Sequence, residues 1–167
     1  EVVWPLFHDL PSLCNFEPQY WQSYRDVNRK YAGAIASHAQ HGDFVWIHDY
    51  HLMHVAEELR ALGTGARLGF FLHIPFPSPD IFMKLPWRKP VIDALLQHDL
   101  VGFQTMRDRR NFAACLEVLA PDVRLEGRGN VVKATHGDRS LRVGSFPISI
   151  DYNAFMRAAA APAVAEK

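Results

Sequence analysis

The sequence predicts an α/β fold, a doubly wound and mainly parallel sheet of the Rossmann-like kind, and two observations carry that expectation. Short apolar runs of four to six residues alternate with helical patterns of about ten, and parallel neighbouring strands need crossovers of that length. The runs are also apolar at nearly every position, as strands covered by helices on both faces are.

Taken in order, Val2-Val3-Trp4-Pro5 reads as the tail of a strand already under way, and Glu1 is not a start methionine, so the chain reads as an excised segment. Glu17-Pro18 opens a helix whose Trp21, Tyr24, Val27, Tyr31, Ile35 and His38 recur every three or four residues, with proline in the first turn. Asp43 to His48, bounded by Gly42 and Asp49, is rich in β-formers and too short for a helix. A helix over Leu52 to Leu62 follows, closed by Gly63 and Gly65. Leu68 to His73, LGFFLH, is a second buried strand. A proline-rich turn then leads to a helix at Val91 to Gln97, a strand at Leu100 to Phe103 and a helix over Met106 to Leu119. The polar stretch Val123 to Arg142 carries Gly127, Gly129 and Gly137 among β-formers and reads as a hairpin insertion. Leu141 to Pro147 returns as a last strand. Residues 1–151 form one unit, and 152–167, ending in the alanine-rich Ala158 to Lys167, a helical or linker tail.

With 167 residues, 49% apolar and 22% charged, the chain can bury one core. Eighteen basic residues balance eighteen acidic ones, which gives no reason to expect nucleic acid or an anionic membrane as partner. Phosphate chemistry must therefore be local. Cys14 and Cys115 lack CxxC spacing and read as free thiols of a reducing compartment. No apolar run reaches about 18 residues and no basic, apolar leader is visible, so the expected setting is cytoplasmic.

Ligands of such sheets bind beyond the carboxyl ends of the strands, which directs attention to His48-Asp49, His73 and Gln104-Thr105. His48, His51 and His54 stand at i, i+3 and i+6, and imidazoles beside a carboxylate suit zinc. The spacing is not the usual i, i+4 of metal pairs on a helix, and His51 and His54 read as packing residues. Asp49, between strand and helix, can cap the helix or grip the hydroxyls of a sugar-like ligand. After His73, three prolines, Pro75, Pro77 and Pro79, stiffen a loop that holds the histidine in place or simply turns at the surface. Trp4, beside Pro5, can stack on the apolar face of a hexose or sit in the core. The phosphate-binding words GxGxxG and GxxxxGK[ST] are absent, as are GxSxG and the kinase set. Lys84, Arg88 and Lys89 read as a solvated surface, and Arg107, Arg109 and Arg110 as a polar helix face.

VWPLFH (Val3 to His8), WIHDYHLM (Trp46 to Met53), GFFLHIPFPSPDIF (Gly69 to Phe82), VGFQT (Val101 to Thr105) and FPISID (Phe146 to Asp151) together resemble the trehalose-6-phosphate synthase family. Its members are retaining glucosyltransferases with two Rossmann domains, the GT-B architecture, and the resemblance implies the N-terminal, acceptor-side domain of one. It further implies transfer of glucose from UDP-glucose to glucose 6-phosphate, giving α,α-trehalose 6-phosphate and UDP, with no metal and no further cofactor. Trp4 and Asp49 map onto the acceptor pocket and His73 onto the donor-glucose contact, which makes Asp49 and His73 the implied catalytic residues. The family's glycine-rich loop and the groups that hold the leaving diphosphate have no counterpart in this sequence, so the segment is expected to be inactive alone. A regulatory sugar-phosphate binder and a glucosyltransferase with another phosphorylated acceptor are the alternatives. An uncovered edge strand would favour self-association, and a homo-oligomer is expected.

Overall fold

The computed structural model describes residues 2–161. Six strands form one sheet in the order β1-β2-β3-β6-β5-β4. They are β1 (Phe44–His48), β2 (Arg67–Leu72), β3 (Leu100–Phe103), β4 (Arg124–Glu126), β5 (Val131–His136) and β6 (Arg139–Ser145). β1, β2, β3 and β6 run parallel, while β6-β5 and β5-β4 pair antiparallel. The glycine-bearing stretch after residue 123 is thus a meander that extends the main sheet, turned at Gly137 with φ +56. It forms the antiparallel end of a mainly parallel α/β sheet.

The helices are α1 (Val3–Phe7), α2 (Pro18–Ala36), α3 (Val55–Ala61), α4 (Pro79–Phe82), α5 (Arg88–Leu95), α6 (Met106–Leu119) and α7 (Tyr152–Ala159). The parallel strands step one way across the sheet, and right-handed crossovers in one direction put their helices on one face. That face holds the core, where Phe76 meets Phe7, Phe82, Phe103 and Phe112 ring to ring. On the opposite face Phe44 and Trp46 are 51% and 60% exposed. The Phe146 ring lies over Gly144, where a β-carbon would come within 2.6 Å of it.

Two expectations change. Val2 to Pro5 is not a strand end: Val3–Phe7 is helical, with Leu6 N–H donating to the Val2 carbonyl at 3.1 Å. Pro5 has no N–H for a ladder, and Pro5, Leu6 and Phe7 are buried consecutively rather than alternately. The helix expected from Leu52 starts only at Val55, after a single 3-10 turn over Tyr50–Leu52. Buried Asn28 of α2 fills the break, its amide donating to the His51 carbonyl at 2.9 Å and accepting from His54 N–H at 3.0 Å. The Tyr24 hydroxyl likewise donates to the Tyr50 carbonyl at 2.7 Å and accepts from Met53 N–H at 3.2 Å. Backbone groups freed by the interrupted helix are satisfied from α2 instead. Of the tail, α7 and residues to 161 are described; 162–167 lie outside the described residues.

Candidate functional site

At the carboxyl end of β1 the chain turns sharply at Asp49, with φ +69 and ψ 167. This is a region that residues with a β-carbon rarely adopt, costing about 1–3 kcal/mol. Asp49 N–H continues the sheet by one rung, donating to the Phe71 carbonyl at 2.8 Å. The turn leaves the Asp49 carboxylate where the paired strands β1 and β2 end. There it makes no capping bond to the helical turn that follows. It accepts a long bond of 3.4 Å from His73 N–H. The capping alternative for Asp49 is therefore not the one realised. Capping of this kind is seen instead at Thr105, which forms a reciprocal box with Asp108 at the start of α6.

His73, just past β2, meets His48 of the neighbouring strand, with Nε2 2.9 Å from His48 Nδ1. Trp46 and Phe71 flank the two imidazoles at ring-centroid distances of 4.4 and 4.8 Å. Gln104, expected at the same rim, is turned to a structural use. Its amide both donates to and accepts from the Ile148 backbone at 3.2 Å.

His48, His51 and His54 go separate ways. His48 pairs with His73, and His51 lies against Tyr50 with ring centroids 3.8 Å apart at a 32° tilt. His54 is buried, its Nδ1 2.6 Å from the Arg25 guanidinium and 2.9 Å from Glu57. Burial pushes its pKa down, against the opposing pull of the Glu57 carboxylate. Among the described residues no three His, Cys, Asp or Glu side chains gather as a ligand set.

Trp4 lies on α1, half exposed and stacked on His8 at 4.3 Å. Together with Tyr20, Trp21, Tyr50, His51 and Trp87 it lines a cavity of about 250 Å³. Tyr50 and His51 directly follow Asp49, which connects this cavity to the rim through the chain. Asp49 and His73 are thus brought into contact, whereas Trp4 lines a cavity that neither of them lines, adjoining Asp49 only through its chain neighbours Tyr50 and His51. Sequence reasoning missed Tyr20, Tyr50 and Trp87. Trp87 stacks on Trp21 at 5.0 Å and 3° across 66 residues of sequence, and no local pattern announces such a pairing.

A mainly parallel sheet with a strained carboxylate and paired imidazoles at its carboxyl edge is an α/β domain of the kind whose ligands bind beyond the strand ends. The sequence profile of glycosyltransferase family 20 matches residues 1–167, and the chain belongs to that family. It is 40% identical over 172 residues to an alpha,alpha-trehalose-phosphate synthase (UDP-forming) of Yarrowia lipolytica, covering 99% of this chain and 36% of that protein. Among solved structures, the E. coli protein bound with UDP-2-fluoro glucose superposes with a TM-score of 0.83 at 40% identity, over 96% of this chain and 35% of that one. An alpha,alpha-trehalose-phosphate synthase (UDP-forming) from Burkholderia xenovorans, in complex with glucose-6-phosphate, gives 0.85 at 30% identity, over 99% and 38%. The chain spans 22% to 36% of the length of the first curated relatives it matches. Among the described residues no helix is long and apolar enough to cross a membrane.

Proposed function

We propose that the native protein carrying this chain transfers glucose from UDP-glucose to glucose 6-phosphate, forming α,α-trehalose 6-phosphate and UDP with retention at the anomeric carbon. Residues 1–151 supply the acceptor side of that reaction as a Rossmann-like unit, and 152–167 lead out of it. The observation that carries the reading is Asp49. A carboxylate held in a costly backbone conformation and left without a cap is a carboxylate kept for a ligand. Family membership and the substrates in the names of the relatives supply the chemistry.

In this reading Asp49 accepts hydrogen bonds from acceptor hydroxyls, and Trp4 lays its ring against the acceptor sugar. His73 orients the donor glucose near the leaving phosphate. The bond from the anomeric carbon to the UDP oxygen breaks, the bond to the acceptor oxygen forms on the same face, and the acceptor proton passes to the departing phosphate. Neither Asp49 nor His73 is asked to be a covalent nucleophile. Positioning and electrostatic stabilisation carry the rate, without a metal. The free thiols of Cys14 and Cys115 suit a cytoplasmic setting.

The test is turnover by the native protein with UDP-glucose and glucose 6-phosphate, with and without a chelator, beside Asp49→Ala. Product insensitive to chelation and lost in the variant supports the reading. No product with any hexose phosphate leaves a sugar-phosphate binder, and loss on chelation demands a metal.

A further inference from the structure

We propose that His48 is a positioning residue for His73: the hydrogen bond between them sets the plane and the tautomer in which His73 meets the donor sugar. A bond between two ring nitrogens needs one N–H and one lone pair. His48 Nδ1 and His73 Nε2, 2.9 Å apart, must therefore take opposite roles. In a neutral imidazole the two nitrogens are in turn opposite to each other, so fixing Nε2 of His73 also fixes its Nδ1. Through that chain of exclusions the tautomer of His48 is coupled to that of His73, and with it whether His73 Nδ1 offers a donor or an acceptor. A sugar hydroxyl can meet either, but a phosphate oxygen is met only by a donor.

The geometry favours this use over a stabilising one. His48 is opposite Phe71 in the β1–β2 register, and His73 lies two residues further on, so the pair spans neighbouring strands at the open rim. Trp46 and Phe71 hold the two rings from the flanks, at 4.4 and 4.8 Å. Both imidazoles are exposed. A hydrogen bond between exposed groups merely exchanges with water and adds little to folding. Two aromatic neighbours ordering a pair that returns so little stability point to the site as the beneficiary.

The inference rests on the reading of His73 as a donor-glucose contact, and its test has one arm that does not depend on turnover. In the native protein, His48→Phe keeps a ring on the sheet but has no nitrogen, whereas His48→Asn restores a polar atom near the Nδ1 position. His48→Phe is expected to lower kcat by roughly 10- to 100-fold through misplacement of His73. The KM for glucose 6-phosphate should stay unchanged, and His48→Asn should recover most of the loss. Imidazole nitrogen NMR of His73, with labelled histidine, should show one tautomer in the wild type and a mixture in His48→Phe. Unchanged kcat in His48→Phe, failure of Asn to rescue, or a His73 spectrum indifferent to the substitution would each overturn the proposal. A native protein that transfers no glucose overturns the preceding reading instead, and the His73 spectrum then decides this one.

Discussion

Within seven residues, His48 to His54, one word of sequence divides into two regions of opposite character. His48 and Asp49 sit at an open rim, in a strained turn, with polar groups left over. His54 lies at zero exposure against Arg25, Glu57 and the rings of Trp21 and Tyr24. The difference lies in where the backbone can find partners. At the rim the sheet ends and side chains must face solvent or ligand; one turn later α2 supplies Asn28 and Tyr24, which take up the Tyr50 and His51 carbonyls and the Met53 and His54 N–H groups. Residue type alone is therefore a poor guide to role, and the backbone accounting around it is a better one.

The largest effect should come from breaking the rim. Asp49→Ala in the native protein is expected to cost roughly a thousandfold in kcat/KM, of the order seen when one preorganised group is removed from a polar site. Asp49→Gly sharpens the comparison. Glycine accepts φ +69 without strain, so relief of about 1–3 kcal/mol outweighs its entropic cost of about 0.5–1 kcal/mol. Activity should fall as in the alanine variant while denaturant unfolding shows a gain of about 1 kcal/mol. A Gly variant that is less stable than wild type would remove the claim of strain.

Behind the rim the effects should appear in stability. His98, fully buried beneath Phe70 and donating to the Leu95 carbonyl at 3.1 Å, has its pKa pushed by burial down to about 4 from 6.5. The folded value lies below the unfolded one, so the unfolded chain binds the extra proton first as pH falls. Stability is full above about pH 6.5 and is lost toward pH 4, by about 3 kcal/mol. Denaturant unfolding across that range should show the decline. His98→Asn should flatten this part of the slope, whatever its own stability. His54, also lowered by burial, acts in the same direction.

Asn28→Ala should cost about 2–3 kcal/mol, because it strands a buried carbonyl and a buried N–H at once. Thermal unfolding reads it directly. A loss under 1 kcal/mol would mean that water or a small shift of the turn replaces the amide.

The sheet and its long helices were legible because apolar runs and helical spacing are local signals, and β1, β2, β3, α2 and α6 lie where those signals put them. Asp49 was legible as a candidate from its place between strand and helix, yet the strained backbone that sets it apart from a cap was not. Positive φ at a residue with a β-carbon is imposed by tertiary structure and leaves no mark on composition. α1 escaped because five residues are too few for a periodicity to show. Tyr20, Tyr50 and Trp87 escaped because their shared cavity joins elements distant in sequence.

The smallest effect on stability belongs to β1 itself, which repeats the contrast across its two faces. Ile47 is 3% exposed beneath the helices, while Phe44 and Trp46 stand open on the other side. β1 pairs only with β2, so its outer edge is free among the described residues. A free edge beside exposed aromatics is a template for another chain. The 167-residue chain alone is therefore expected to self-associate, as light scattering at rising concentration would show. Trp46→Glu should return it toward monomer and shift unfolding by no more than about 0.5 kcal/mol, as surface changes do. A wild-type chain that stays monomeric at high concentration would show that edge and aromatics are protected without a partner. The face opposite the helices would then be solvated, and the contrast would hold only at the rim.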